Sequence, residues 1–386
     1  MVSVARWTLR FPVSLHVGRG VRSVLATEGP GPWLLVSSAR GRAQATSDAI
    51  VGPLLSERHV DYVDDVGVNP DVAYLQATAE RLRAKGVAPE AVVGFGGGSA
   101  LDSAKVIAAL LATPCDVTLS TLLRDPSILR DVEVLRLIAV ATTAGTGSEV
   151  TPFATVWDSI CLAKESLASE RVWPALAIVD ADLMDELPRE VTLATGLDAL
   201  NQAAESIWNR RATPVTFELA ARALEVGWPA WSRLLENGHD RQARASMAEA
   251  SVLAGLAISQ TRTALCHAIS YPITARYGVA HGVACGFTMA AVARFLASGD
   301  DGRLDRLARR LLGPEAGAVA LSEAFRSSLR AAGVPALVRK AVGSLDCLFA
   351  LVSEMRSPGR ADNLMAAVSS ADIEALLADA WDGEHA

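Results

Sequence analysis

The sequence lacks the residue types that mark several common protein classes. It has five cysteines, at 115, 161, 266, 285 and 347, and none has the CxxC spacing of a redox or metal motif. No apolar run reaches the roughly 18–20 uncharged residues of a membrane span, and the first twenty residues lack a signal-peptide cleavage site. The net charge of −7 argues against broad binding to nucleic acid or anionic membranes. These absences favour a globular protein with free thiols in a reducing, cytoplasmic setting.

Apolar residues are abundant, at 51% of the chain, so two sizeable cores can form. In the first half, short β-rich runs alternate with helical periodicity, which predicts a parallel α/β sheet with right-handed crossovers. From about residue 185 the helical periodicity dominates. We therefore predict an α/β domain at 1–183 and an all-helical domain at 184–386. The predicted strands are WLLVSSA, HVDYVDD, AVVGFGGG, LRLIAVATT and LAIVDAD.

Two polar, glycine-bearing loops follow predicted strands. GFGGGSALDSAK (94–105) opens a helix, where backbone N–H groups can approach a pyrophosphate. Its spacing is neither GxGxxG nor a Walker motif, so a plain strand-to-helix turn remains an alternative. ATTAGTGSEVTP (141–152) adds hydroxyls at the same sheet edge, which favours nucleotide binding over a mere polar connection. The candidate cofactor residues in these loops are Gly96, Gly97, Gly98, Ser99, Thr142, Thr143, Thr146 and Ser148.

Histidine is scarce, with six residues in all, yet His267 and His281 share one apolar segment, TALCHAISYPITARYGVAHGVACG. This segment contains the motif AHG, and the order GGGSALDSAK, TTAGTGSE, GLDAL, AHG resembles the iron-containing, or group III metal-dependent, alcohol dehydrogenases. The resemblance covers nearly the whole chain. It implies a Rossmann-like dinucleotide-binding domain and a helical domain, the fold shared with dehydroquinate synthase. It also implies a cleft that holds the cofactor and one divalent metal.

The resemblance also implies which residues bind the metal. The family's aspartate matches Asp198 of GLDAL, and two of its three histidines match His267 and His281. The remaining histidine falls on Gln202, which shares a helix face with Asp198 at spacing i, i+4 but is a weaker, neutral donor. Such a site suits zinc or Fe(II). Taken singly, Asp198 could be a surface carboxylate and His267 a core histidine.

A second departure from the family lies at Tyr271, where many members carry a histidine that is thought to relay protons. A tyrosine can donate a hydrogen bond but titrates near 10, so water and the cofactor ribose are alternative proton sources. The catalytic candidates are His267, Tyr271 and Lys164, and the resemblance assigns Asn69, Asp102 and Lys164 to the cofactor. The remaining histidines match no motif and are expected at the surface: His16, His59, His239 and His385.

The predicted strand WLLVSSARGR should end near the adenosine ribose of the cofactor. NAD-preferring relatives often place an aspartate there, whereas this chain has Ser37 and Ser38, followed by Arg40 and Arg42. Serines and an arginine would accept a 2′-phosphate that a carboxylate would repel, which predicts NADPH, with NADH possible. The alternative is that both arginines are only solvated.

Four further segments, TPFATVWD, ESIWN, TRTALCHAISYPITARYG and HGVACGFTM, resemble the phosphonoacetaldehyde reductases, a subfamily that makes 2-hydroxyethylphosphonate. Arg262 and Arg276 flank the histidine motif, and guanidinium groups suit phosphonate oxygens. We therefore expect a phosphonate substrate, with the product entering phosphonate natural-product biosynthesis. Phosphonopyruvate, reduced to phosphonolactate, and plain aldehydes remain alternatives.

Two other classes of protein stay open. The chain could be an inactive nucleotide-binding relative, although the retained Asp198, His267 and His281 argue against this. It could instead be a lyase of the dehydroquinate synthase kind, which would regenerate its cofactor rather than consume it. By analogy with the family we expect a homodimer, with neither nucleic acid nor membrane as a partner.

Overall fold

A computed structural model describes residues 6–29, 31–160, 163–356 and 359–382. Its strands are β1 Ser14–Gly18, β2 Trp33–Val36, β3 His59–Val63, β4 Ala91–Gly96, β5 Arg136–Ala141, β6 Phe153–Asp158, β7 Ala163–Ala168 and β8 Leu176–Asp180. Its helices are α1 Ala39–Ser47, α2 Val51–Arg58, α3 Val72–Ala84, α4 Gly98–Ala112, α5 Leu119–Arg124, α6 Arg189–Ile207, α7 Pro214–Glu236, α8 Arg241–Thr261, α9 Leu265–Tyr277, α10 His281–Ala297, α11 Arg303–Leu312, α12 Ala318–Ala331, α13 Val334–Val342, α14 Leu345–Phe349, α15 Val352–Met355 and α16 Ser370–Asp382.

The first half forms a parallel sheet in the order β1-β8-β5-β4-β2-β3. Strands β2, β4 and β8 are buried at every position, because helices cover both faces of the sheet. All five predicted strands are present, and the predicted fold class, an α/β domain followed by helices, is confirmed. Sequence reasoning missed the edge strand β1 and the antiparallel hairpin of β6 and β7.

After β8 the described chain is helical. The predicted boundary between 183 and 184 falls in the short 3-10 helix Ala181–Met184, and it stays a prediction. Among the described residues, no helix is both long and apolar enough to cross a membrane. The helical core is built around α6, α7, α8 and α10, whose small residues allow the axes to approach closely.

The closest of these approaches lies where α10 begins. A Cβ atom added at Gly282 would lie 1.8 Å from the carbonyl oxygen of Ala194 on α6, so the two backbones meet with no room for a side chain. His281 precedes this contact on α10, and Asp198 follows it on α6 by one turn. The glycine therefore brings the candidate ligands of two helices together.

We predict that Gly282→Ala lowers the free energy of unfolding by about 2 kcal/mol, because a clash with a backbone carbonyl puts the overpacking at the upper end of its usual cost of about 1–3 kcal/mol, against a gain of roughly 1 kcal/mol in helix propensity. Thermal and urea unfolding would measure the change. Gly299→Ala is the control, since a Cβ there meets nothing within 4 Å and the substitution should be nearly neutral. Equal stability of the two variants would contradict the packing argument.

Candidate active site

A cleft of about 1380 Å³ runs between the carboxyl edge of the sheet and the helices. It exceeds the roughly 300–1,000 Å³ of an ordinary small-molecule pocket, so a dinucleotide and a small substrate could share it. The cleft is lined by most of the residues predicted from the sequence: Ser38, Arg40, Asn69, Gly96, Gly97, Gly98, Ser99, Asp102, Thr142, Thr143, Thr146, Ser148, Lys164, Asp198, Gln202, Arg262, His267, Tyr271 and His281.

Three helices bring a cluster of metal-type ligands to this cleft. Asp198 comes from α6, His267 from α9, and His281 and Cys285 from α10, and one donor atom of each lies within 4.8 Å of the others. Carboxylate, imidazole and thiolate groups are the usual donors to divalent transition metals. The cluster includes three of the four predicted ligands and adds Cys285, which sequence reasoning missed.

His267 is held by a buried carboxylate that the sequence analysis also missed. Its Nδ1 lies 2.8 Å from Glu205 Oε2, and Glu205 also accepts hydrogen bonds from the backbone N–H groups of Ala264 and His267. With Nδ1 bound to Glu205, Nε2 is the nitrogen that faces the cluster, and it lies 3.3 Å from Asp198 Oδ1. A carboxylate behind a ligand histidine is a recurring support of metal sites.

His281 is oriented in a comparable way by a hydroxyl group. Ser270 Oγ donates to the carbonyl of His267 and lies 3.3 Å from His281 Nδ1, so it can accept a proton from that nitrogen. His281 Nε2 then carries the lone pair, and it lies 3.3 Å from Lys164 Nζ. Burial and the charge of Lys164 lower the pKa of His281 well below its ordinary value, so the imidazole is neutral.

The electrostatics fit a bound cation. Burial alone would raise the pKa of Asp198, but the hydrogen bond with His267 and the positive charges around the carboxylate lower it to about 2. Asp198 is therefore ionised, and its Oδ1 lies 3.3 Å from Nε2 of His267. Two acceptors at this distance need a shared positive charge, either a proton or a metal ion, so these residues fit the metal that the resemblance implies.

Gln202 lies beside Asp198 but presents its amide nitrogen to the cluster. Its Nε2 donates to Asp198 Oδ1 at 3.2 Å and to the carbonyl of Thr146 at 3.3 Å. Its Oε1 is buried and has no hydrogen-bond partner among the described residues. In this arrangement Gln202 supports Asp198 as a donor, and its predicted role as a metal ligand stays a prediction.

Tyr271 lies between the metal cluster and two cationic side chains. Its ring stacks on His281 with centroids 5.6 Å apart, while Lys164 Nζ and the Arg360 guanidinium lie 4.1 and 4.7 Å from the ring centre. Burial alone would raise the pKa of the phenol, but the charges of Lys164, Arg360 and His267 lower it below its ordinary value. Tyr271 is thus a better proton donor than an ordinary tyrosine.

The two glycine loops meet at the other side of the cleft. A Cβ added at Gly97 or Gly98 would lie 2.9 Å from Thr143 Oγ1 or 2.5 Å from Thr146 Cγ2, so glycine allows the loops to touch. No side chain caps the N-terminus of α4, which leaves its first N–H groups free for an anion. The loops therefore have the shape of a phosphate cradle, and their predicted role in binding the cofactor stays a prediction.

Two polar residues of the first loop motif hold this cradle together. The carboxylate of Asp102 accepts hydrogen bonds from Ser148 Oγ at 2.6 Å and from the backbone N–H of Thr155 at 2.9 Å. The ammonium group of Lys105 is buried and donates to the carbonyls of Ser148 and Phe153, each at 2.6 Å. These bonds tie α4 to the second loop and to β6.

The prediction that Ser37 binds the cofactor is wrong. Its side chain is fully buried and donates to the carbonyl of Phe95, so it cannot reach the cleft. Ser38 does line the cleft, as the N-cap of α1, and so does Arg40, whose Nη2 donates to the carbonyl of Glu186. Arg42 is paired with Asp64 and stacks on Tyr62.

The prediction that Arg276 binds substrate is also wrong. Its guanidinium is paired with Glu354 at 2.6 Å, and among the residues described it is not part of the cleft lining. Arg262 does line the cleft, and within the described part of the chain its guanidinium has no hydrogen bond or carboxylate partner. Arg360, which sequence reasoning missed, joins it there and donates to Ser166 Oγ.

The four histidines that match no motif lie away from the cleft or outside the described residues. His59 and His239 are exposed and His16 is half-buried, as expected for residues near the surface. His385 and Cys161 lie outside the described residues. The other four cysteines are free thiols.

Comparisons with known proteins agree with this architecture. The family descriptions "Iron-containing alcohol dehydrogenase" and "Fe-containing alcohol dehydrogenase family, C-terminal" match residues 13–181 and 192–345. The chain is 38% identical over 237 residues to a phosphonoacetaldehyde reductase of Streptomyces viridochromogenes, covering 60% of this chain and 59% of that one. It is 34% identical over 288 residues to a long-chain-alcohol dehydrogenase of Geobacillus thermodenitrificans, covering 73% and 71%.

Among solved structures, the chain resembles a sulfoacetaldehyde reductase from Bifidobacterium kashiwanohense in complex with NAD+. The TM-score is 0.86 at 26% identity, and the match covers 98% of this chain and 100% of that one. The sequence matches to the first three curated relatives span only 56% to 59% of the lengths of those relatives.

We predict that Glu205→Gln weakens the binding of a divalent metal by about 10- to 100-fold, because the charged partner of His267 Nδ1 is lost. Competition with a chromogenic chelator would measure the affinity for Zn²⁺, with His267→Ala as the reference for a lost ligand. Glu323→Gln is the control, since Glu323 pairs with Arg294 at the surface. Unchanged affinity in Glu205→Gln would contradict the supporting role.

Proposed function

The chain belongs to the iron-containing alcohol dehydrogenase family, and from this premise we propose that it is a metal-dependent, NAD(P)H-linked reductase of a small phosphonate aldehyde. Phosphonoacetaldehyde, reduced to 2-hydroxyethylphosphonate, is the proposed substrate. The first curated relative described above is named for that reduction, at 38% identity. The expected homodimer and cytoplasmic location stay predictions.

The observation that carries this proposal is a group of cationic side chains beside the metal cluster. Arg262, Arg360 and Lys164 all line the cleft, and none has a carboxylate partner in the described part of the chain. Partial burial and the charges of Arg211 and Arg360 lower the pKa of Arg262, which reflects the crowding of like charges. A dianionic substrate would relieve this repulsion and would be attracted into the cleft.

Each part of the cleft then has a chemical role. When bound, the metal would act as a Lewis acid on the carbonyl oxygen, and the nicotinamide would supply the hydride. Asp198, His267 and His281 would hold the metal, with Glu205 and Ser270 fixing the two imidazole rings. The two glycine loops, which follow β4 and β5, would hold the dinucleotide phosphates at the N-terminus of α4.

The remaining groups act on the substrate. Arg262 and Arg360 would bind the phosphonate and fix the carbonyl toward the metal cluster. Lys164 and the Tyr271 hydroxyl would donate hydrogen bonds to the oxygen that gains negative charge. The lowered pKa of Tyr271 makes it the better placed of these groups to transfer a proton to the product.

We predict that Arg262→Ala lowers kcat/KM for phosphonoacetaldehyde by about 10- to 100-fold, the effect of losing a charged hydrogen-bond partner. Steady-state oxidation of NADPH at saturating metal would measure it. For propanal, which has no anionic group, the change should stay within about twofold. Arg276→Ala is the matched control, because its guanidinium is paired with Glu354 away from the cleft.

A panel of substrates separates the alternatives. Wild-type enzyme should reduce phosphonoacetaldehyde far better than acetaldehyde or propanal. If phosphonopyruvate or sulfoacetaldehyde is much the better substrate, the anion-binding role of the arginines stands and the phosphonoacetaldehyde assignment fails. If plain aldehydes are reduced equally well, the phosphonate proposal fails.

We also propose a preference for NADPH over NADH. Ser38 and Arg40 line the cleft where α1 begins, and no carboxylate side chain follows β2 at this point to repel a 2′-phosphate. Although Ser37 is buried, the segment that follows β2 still has no carboxylate before Asp48.

We predict that Ser38→Asp shifts the ratio of kcat/KM values toward NADH by about tenfold or more, since a carboxylate repels the phosphate and binds the ribose hydroxyls. Parallel assays with both cofactors would measure the ratio. Ser120→Asp is the control for an added negative charge, since Ser120 is an exposed residue of α5. A wild-type enzyme that already prefers NADH would overturn the proposed preference.

A further inference from the structure

Cys285 occupies a position in the metal cluster that the sequence resemblance does not assign. It lies one turn after His281 on α10, so both side chains project from the same helix face. Its Sγ atom lies 3.7 Å from Nε2 and 3.8 Å from Nδ1 of His281, and the residue is fully buried. A buried thiol among a carboxylate and two imidazoles is a metal donor rather than a surface nucleophile.

Two separations between donor atoms are close to those of a tetrahedral site. Zinc binds nitrogen and oxygen at about 2.0–2.2 Å and sulfur at about 2.3 Å, so two donors on a tetrahedron lie roughly 3.4 Å (N to O) or 3.6 Å (N to S) apart. His267 Nε2 and Asp198 Oδ1 are 3.3 Å apart, His281 Nε2 and Cys285 Sγ are 3.7 Å apart, and the donor atoms of all four residues lie within 4.8 Å of one another. Because Sγ is almost as near to Nδ1 of His281, at 3.8 Å, it lies beside the imidazole ring, and the thiol must rotate toward Nε2 to share an ion with it.

Gln202, the residue at the position of the missing histidine, is turned the other way. Its amide nitrogen donates to Asp198 and to the carbonyl of Thr146. Reversing the amide would place Oε1 against two acceptors and lose both hydrogen bonds, so this network favours the nitrogen toward the cluster. An amide nitrogen with both protons is not a metal donor, so Gln202 in this orientation does not bind the ion.

We propose that the thiolate of Cys285 is the fourth protein ligand of the metal and that Gln202 acts as a hydrogen-bond donor that positions Asp198. This inference rests on the proposed function, in which Asp198, His267 and His281 bind the metal. When the metal binds, the thiol proton is released to solvent and a sulfur–metal bond forms, with no change of oxidation state. Zinc sites can expand to five ligands, so a fourth protein ligand does not exclude a substrate oxygen.

The proposal has a consequence for the identity of the metal. A thiolate is a softer ligand than the imidazole that it replaces, and soft ligands favour zinc over harder, oxygen-preferring ions. The chain should therefore select Zn²⁺ over Fe²⁺ more strongly than a site of one aspartate and three histidines would.

The test uses cobalt, because Co²⁺ replaces zinc and reports a bound thiolate directly. Wild-type protein, freed of metal and loaded with Co²⁺ without oxygen, should show an intense near-ultraviolet thiolate-to-cobalt absorption band. Cys285→Ser should lose this band and bind Zn²⁺ at least roughly tenfold more weakly in chelator competition. Cys266→Ser is the matched control, since Cys266 is an equally buried thiol beside His267 but outside the cluster, and it should keep the band.

The outcomes separate this inference from the proposed function. If wild-type protein binds one Co²⁺ without a thiolate band, the Cys285 proposal is overturned and the three-residue site stands. If it binds no Co²⁺ at all, the metal site of the proposed function fails as well. Gln202→Ala should keep the band at full intensity and lower the affinity for the metal only modestly. Loss of metal binding in Gln202→Ala, with the metal affinity unchanged in Cys285→Ser, would assign the fourth position to glutamine instead.

Discussion

The carboxylate of Glu205 is the interaction on which the geometry of the site depends. It lies fully buried on α6 and accepts hydrogen bonds from Ala264 N–H, His267 N–H and His267 Nδ1. It thereby caps the N-terminus of α9 from a neighbouring helix, where the positive end of the helix dipole favours a negative charge. Because Asp198 lies two turns earlier on α6, this one helix sets the distance between Asp198 and His267, two of the candidate ligands.

The charges around the cleft are divided between its parts. Asp198, Glu205 and the histidines form a buried group that needs a cation, whereas Lys164, Arg262 and Arg360 form a cationic wall that needs an anion. Arg262 even adopts a left-handed backbone conformation, with φ of 64°, which costs a non-glycine residue about 1–3 kcal/mol. Its amide donates to the carbonyl of Ile258 at the end of α8, and its carbonyl accepts a hydrogen bond from the side chain of Asn209. These two bonds hold Arg262 in the strained conformation. Such strain is typical of residues whose position matters to function.

Much of the fold and part of the site could be predicted from the sequence, for a physical reason. Buried strands and glycine loops are local patterns, so the sheet and the two glycine loops at its edge were recognised from short segments. Glu205 and Cys285 also carried a local signal, since they follow Asp198 by seven residues and His281 by four, on the same helix faces. Ser37 failed because it follows β2 with its side chain turned into the core, where it donates to the carbonyl of Phe95, whereas its neighbour Ser38 lines the cleft as the N-cap of α1.

Arg276 and Arg360 show where sequence reasoning stops. Arg276 lies only nine residues from His267, but a helix turns successive residues through about 100°, and this one points toward Glu354 instead of the cleft. Arg360 lies 79 residues beyond His281 and reaches Tyr271 only because the helices between them fold the chain back on itself. Spacing along the chain therefore predicts well which residues of α6 and of α10 lie together at the site, because the α-helix has a known repeat. It does not predict which arginines line the cleft, because Arg262 and Arg360 come from a helix end and a connection whose positions only the packing determines.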